Sequence, residues 1–237
     1  MKKYFLLVFF AIVDSSYILG QNLQLHYDFG EDRHYFTSTL EMFKPDSLGS
    51  TFWFVDFDFN SPDKPRGISM AYWEMSRDFY IPGIKKVNGL EELGFHIEYN
   101  DGVQIEKPDS GEVTGYNLNS TWLAGFSYPV KLGRVVMGTM LLYKHPRGAG
   151  SADFQFTAVW LQPLLSGRIV LTGFLDIWSQ DKIYEDGKEI VFQTEPQCWY
   201  ALNKNLFAGS EIEISRNFPF GPAGWKFQPT IALKWEF

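Results

Sequence analysis

Three short stretches of the chain place an aromatic ring two residues from a carboxylate. They are Phe54, Asp56 and Asp58; Tyr72 and Glu74; and Phe174, Asp176 and Trp178. In an extended strand, residues i and i+2 project from the same face. Each stretch therefore presents flat rings beside acids. Such a ring can stack on a planar solute while the acid bonds its hydroxyl or amino groups. The same rings can instead pack on one another and fill space. These eight residues are the candidate solute-binding set.

Catalytic patterns are weaker. The chain has four histidines, His26, His34, His96 and His145. His145 is followed by Pro146, Arg147 and Gly148, not by the Ser-Asn that a Ser–His lipase barrel would need. His34 lies near Asp32, a single acid–histidine pair of the kind an Asp–His protease barrel uses and one that chance supplies often. No G-x-S-x-G, P-loop or H-E-x-x-H motif occurs. The one cysteine, Cys198, cannot build a disulfide framework or a cysteine zinc site, and reads as an inert small residue on a strand. Metal-ligand clustering is absent from the sequence, although scattered carboxylates could hold Ca²⁺. The expectation is a non-enzyme with no cofactor and no metal site.

Composition narrows the class further. Over 237 residues the net charge is −7 and hydrophobic residues make up 45%. That excludes a disordered chain, and the shortage of Lys and Arg excludes a nucleic-acid partner. Aromatics at 18% are high for an ordinary domain.

The elements that must position these residues are strands. Residues 1–20 stand apart: Lys2 and Lys3 precede an apolar run from Tyr4 to Val13, the pattern of a secretory signal peptide. From residue 21 to 237 a period-two alternation recurs. In the stretch 225–237, Trp225, Phe227, Pro229, Ile231, Leu233, Trp235 and Phe237 alternate with mostly polar residues. In 51–60, Trp53, Val55, Phe57 and Phe59 share the face opposite Asp56, Asp58 and Asn60. The pattern predicts about twelve strands: 23–29, 35–44, 50–60, 67–77, 93–100, 120–130, 135–145, 152–162, 167–179, 188–200, 205–216 and 224–237.

Connections at one end, near 131–134, 163–166 and 201–204, are short. Those at the other, near 101–119, 180–187 and 217–223, are longer. Tight periplasmic turns with longer outer loops are the bacterial outer-membrane pattern; the long connection 78–92 departs from it. A soluble β-sandwich would alternate too. Three features favour the membrane: the signal peptide, strands about as long as a tilted span requires, and aromatics near strand ends. Trp225 and Trp235 are separated by about 33 Å of strand, or about 25 Å of height at a tilt near 40°, which matches the band between aromatic girdles. The expected fold is an all-β transmembrane antiparallel barrel.

A chain ending in an alternating strand with Phe237 resembles the bacterial outer-membrane barrels, in which the last strand is read by the assembly machinery. Five stretches, Thr39 to Met42, Phe52 to Phe57, Trp73 to Arg77, Thr121 to Gly125 and Gly173 to Trp178, resemble in order and spacing the Tsx-like nucleoside-specific channels. That resemblance implies a twelve-stranded barrel whose narrow lumen binds nucleosides through aromatics and ionisable groups. Its binding residues do not map one by one onto this chain.

If the polar parity faces inward, the lumen holds Asp28, Glu41, Asp56, Asp58, Glu74, Glu98, Asp153, Asp176, Glu195, Glu211, Glu213 and Glu236. Arg168, Lys226 and Lys234 oppose them. Phe52, Phe54, Tyr72, Phe174 and Trp178 share that parity. The expected function is an outer-membrane channel for passive uptake of small solutes, nucleosides by resemblance. The alternative is a packed-lumen barrel with a receptor or structural role, and a barrel hydrolase comes third. The expected partners are outer-membrane lipid, a small solute such as a nucleoside, and the outer-membrane assembly machinery.

Overall fold

The computed structural model describes residues 20–237 except 32, 63, 65, 107–110, 134, 183–184 and 219–223. The signal-peptide stretch, all but Gly20, lies outside the described residues, as does Asp32 of the acid–histidine pair. The strands are β1 (Gln21–Asp28), β2 (Phe36–Asp46), β3 (Gly49–Phe59), β4 (Ile68–Tyr80), β5 (Gly94–Glu106), β6 (Thr114–Leu132), β7 (Val135–Pro146), β8 (Asp153–Leu164), β9 (Ile169–Asp181), β10 (Lys188–Thr194), β11 (Gln197–Ala201), β12 (Leu206–Arg216) and β13 (Trp225–Glu236).

Each strand pairs antiparallel with its neighbours. β1 pairs with both β2 and β13, and β13 pairs with β12, so the sheet closes on itself. β10 and β11 are halves of one stave. Both lie between β9 and β12, in a register that runs unshifted across Glu195 and Pro196. Proline removes one ladder donor, yet Glu195 N–H still bonds Phe174 O and Ile212 N–H still bonds Pro196 O. The barrel thus has twelve staves, as the alternation predicts.

Alternation sets the two faces. On β13, Trp225 is 53% exposed and Trp235 is 52% exposed, with Phe227, Ile231 and Leu233 exposed between them. Gln228, Ala232 and Lys234 of the same strand are buried. The apolar parity therefore points outward and the polar parity into the barrel, the reverse of a soluble barrel and the arrangement a lipid surround requires.

Two residues join β2 to β3 and two join β6 to β7. In the second turn Gly133 adopts φ 62°, left-handed geometry that suits a tight hairpin. The same end carries the short connections 165–168 and 202–205. It also carries the exception, 81–93, which holds a single 3₁₀ turn over Ile84–Lys86 and accepts a hydrogen bond from Tyr128 Oη at Gly89 O (3.2 Å). The opposite end has the longer connections, 29–35, 60–67 and 217–224 among them.

Two expectations need correction. Much of the stretch 101–119, read as an outer loop, is strand. β5 and β6 pair on from Gly102↔Leu118 to Glu106↔Thr114, past a bulge at Asn100/Gly102. The extra residue of the bulge breaks the alternation and hides the extension. Arg168 does not face the lumen. It lies exposed in a turn, where its Nη2 donates to Tyr200 Oη (2.7 Å) on the outer surface.

Candidate functional site

The inward parity brings together acids from strands far apart in sequence. Thr39 on β2 donates to Asp56 on β3 (2.5 Å). Tyr72 donates to Glu74 along β4 (2.7 Å), and Asn100 Nδ2 on β5 donates to the same carboxyl (3.1 Å). Thr157 on β8 donates to Asp176 on β9 (2.5 Å). Gln193 donates to Glu195 (2.9 Å), and Gln197 donates to Glu211 on β12. Closure then sets these acids on facing walls. Glu74 comes within electrostatic reach of Glu98, Asp176 and Lys144, and Asp56 within reach of Glu195 and Glu211.

The partners of these mid-barrel acids are neutral hydroxyls and amides. Among the described residues none of Asp56, Glu74, Asp176, Glu195 and Glu211 makes an ion pair within 4.0 Å. Nearer the ends the acids are ion-paired instead. Arg33 bridges Asp28 (2.9 Å) and Glu213 (2.7 Å), Lys188 bonds Asp153 (2.7 Å), and Arg77 bonds Asp46 (2.7 Å). Burial by itself would weaken the hold of Arg33 on its proton. Glu213, Tyr35 and Asp28 outweigh that and raise it, so the guanidinium stays charged. Burial, and then the Asp58 carboxylate, push the neighbouring Tyr35 phenol above its ordinary range.

The eight candidate residues separate into two environments. Phe54, Asp56, Tyr72, Glu74, Phe174 and Asp176 are half-buried, with part of their surface open to the interior. Phe54 and Tyr72 form one aromatic patch, ring centres 6.1 Å apart, which Phe52 extends at 6.0 Å. Asp58 and Trp178 are each 7% exposed. Thr37 donates to Asp58 (2.7 Å). The Lys144 ammonium lies 4.1 Å from the centre of the Trp178 ring, and Phe218 packs edge-on against it at 5.5 Å. Trp178 is therefore enclosed by its own neighbours.

Sequence reading misses Lys144 and Arg33. Lys144 sits on β7, where both faces are apolar over most of the strand, so no parity can be assigned. Arg33 lies between strands, where alternation carries no information. A short-range signal does exist for Asn100, which shares the parity of Glu98. Its Oδ1 is buried without a hydrogen-bond partner among the described residues. Toward the other end a cluster of Trp199, Phe207 and Ala232 fills one side of the interior, and Lys234 Nζ lies 4.6 Å from the Trp199 ring centre.

Comparison with known proteins fits this geometry at the level of the fold. A family model described as "Domain of unknown function (DUF5020)" matches residues 20–237. The chain belongs to the DUF5020 family. No protein of curated function matches the DUF5020 chain in sequence. Among solved structures it is similar to the KdgM porin, with TM-score 0.51 and 8% identity over 92% of this chain and 98% of that one. It is equally similar to a KdgM porin in complex with disordered oligogalacturonate, with TM-score 0.50, 8% identity and the same coverage. At such identity the likeness is one of fold: a closed antiparallel β-barrel. That is the part of the Tsx-like resemblance which the comparisons support.

Proposed function

We propose that this DUF5020 chain is an integral outer-membrane channel for passive uptake of small uncharged or cationic solutes that carry hydrogen-bond donors, nucleosides among them. One observation carries the reading. The mid-barrel carboxyls are held by neutral donors, lack ion pairs and keep surface open to the interior, beside the Phe54–Tyr72 patch. A packed structural lumen would have paired or enclosed them, because an uncompensated buried acid is costly. A planar base would stack on Phe54 or Tyr72 while its sugar hydroxyls donate to Asp56, Glu74 and Asp176. Weak contacts of this kind guide a solute without trapping it. A phosphate would meet the summed field of these acids in a low-dielectric channel.

Liposome swelling with a nucleoside and with its monophosphate tests this. Faster entry of the nucleoside is expected. Equal rates would remove the electrostatic argument, and uptake unchanged in Phe54→Ala and Asp56→Asn would show the path to lie elsewhere. The enclosed Trp199–Phe207–Ala232 cluster favours the packed-lumen alternative, which a lack of single-channel conductance would support.

A further inference from the structure

The outer surface carries a second feature that solute passage does not use. Near the end with the longer connections, where β7 stops and the β5–β6 hairpin continues past it, Tyr99, Ser120, Trp122, His145, Arg147 and Gly148 line a hollow of about 340 Å³. The ladder accounts for the hollow. Tyr99 pairs with Trp122 and Trp122 with His145, so all three side chains project outward in one row. Arg147 N–H bonds Ser120 O (2.7 Å), which carries the pairing one step beyond β7 and sets the guanidinium above that row.

The hollow combines two close aromatic rings with two basic side chains. Tyr99 and Trp122 lie with ring centres 4.7 Å apart, and Trp122 is half-exposed. His145 stacks on Tyr143 at 6.3 Å and is exposed. Arg147 is exposed and makes no ion pair among the described residues. The acid nearest the row, Asp101, accepts from Tyr99 Oη (2.5 Å) and from Gly102 N–H (2.8 Å), so two donors already compensate its charge. Further down the same face lies the row Ile97, Ala124, Tyr143 and Phe154, and below it the row Phe95, Phe126, Leu141 and Phe156, apolar throughout and exposed. A cation above an apolar band on a lipid-facing wall marks the level at which headgroups lie.

We infer that this hollow binds the headgroup of a phosphorylated glycolipid of the outer leaflet. The inference rests on the outer-membrane reading above. Arg147 and His145 supply donors to a phosphate. Trp122 and Tyr99 supply flat faces for a sugar ring, which a simple phosphoglycerol headgroup lacks. Phe126, Leu141 and Phe156 supply the surface along which the acyl chains run. Charge and layering both select this occupant: the one unpaired guanidinium of the row meets the anionic group, and the apolar row meets the tails.

The test uses the purified barrel in detergent, with lipid retention read by native mass spectrometry. The probes are bisphosphorylated lipid A, the same lipid with its phosphates removed, and phosphatidylglycerol. Lipid A should be retained most strongly. Arg147→Gln should weaken its retention about tenfold, the loss of one charge-assisted contact, and His145→Gln should weaken it less. Lys85→Gln, in the connection at the other end, should leave it unchanged. Equal retention of phosphatidylglycerol or of the dephosphorylated lipid would overturn the inference, as would wild-type retention by Arg147→Gln. A heat-modifiable band checks that each variant is folded. Solute uptake by the same samples separates the two readings, because Arg147→Gln should lose lipid and keep uptake. Lipid discrimination in a barrel without uptake would sink the channel and leave this site standing.

Discussion

Arg33 and Glu213 stand 180 residues apart in the chain and 2.7 Å apart in the barrel. The guanidinium comes from the connection between β1 and β2, enters the barrel and also takes Asp28 on β1 (2.9 Å). It ties β12 to β1 across β13, beside the seam where the first and last strands meet.

Removing this tie leaves two nearly enclosed acids facing each other. Arg33→Gln should lower barrel stability by about 2 kcal/mol, the usual scale for a lost charged hydrogen bond. Urea unfolding followed by the shift of the heat-modifiable band would measure it. Lys182→Gln breaks only an exposed pair with Glu185 and should show no change. Equal effects of the two variants would mean that Arg33 is not a structural tie.

Leu141 is 64% exposed and Leu142 fully enclosed, although they are neighbours of one type. If the outward face meets lipid, Leu141→Arg should cost about 2–4 kcal/mol near the bilayer midplane. In a barrel surrounded by water the same change would be close to neutral. Folding titrations into lipid vesicles decide between the two.

The facing acids Glu74 and Asp176 make a further expectation. Glu74→Gln combined with Asp176→Asn should reduce cation preference, read as a shift of reversal potential toward zero in a salt gradient. An unchanged potential would place both residues off the conduction path.

Orientation follows from loop length. In a Cys198→Ser background, a cysteine at Glu112 should react with a membrane-impermeant maleimide on intact cells, and one at Leu48 should not. Both positions are exposed and lie at opposite ends of the barrel. The reverse pattern would invert the topology and would also move the glycolipid hollow to the inner leaflet.

Most of the barrel is legible in the alternation alone. A period of two is a local property, so Trp225 to Phe237 or Thr51 to Asn60 reveal their two faces without knowledge of their neighbours. The signal fails where the local pattern is broken or uniform. The bulge at Asn100/Gly102 shifts the parity and hides the extended hairpin. β7 is apolar on both faces, which hides Lys144. Continuing the parity of β9 one residue past its end points Arg168 inward, but that residue lies in a turn, where parity no longer holds.

By itself, then, the amino-acid sequence determined the fold class, the stave number and the sorting of acids and rings to the polar face, because each depends only on which side of an extended chain a residue projects from. Closure decided the rest. It set Glu74 near Asp176 and Asp56 near Glu195 and Glu211, brought Arg33 to Glu213, and enclosed Trp178 between Lys144 and Phe218 while leaving Phe54 and Tyr72 open. Those distances depend on the tilt and register of all twelve staves together, and no single strand encodes them.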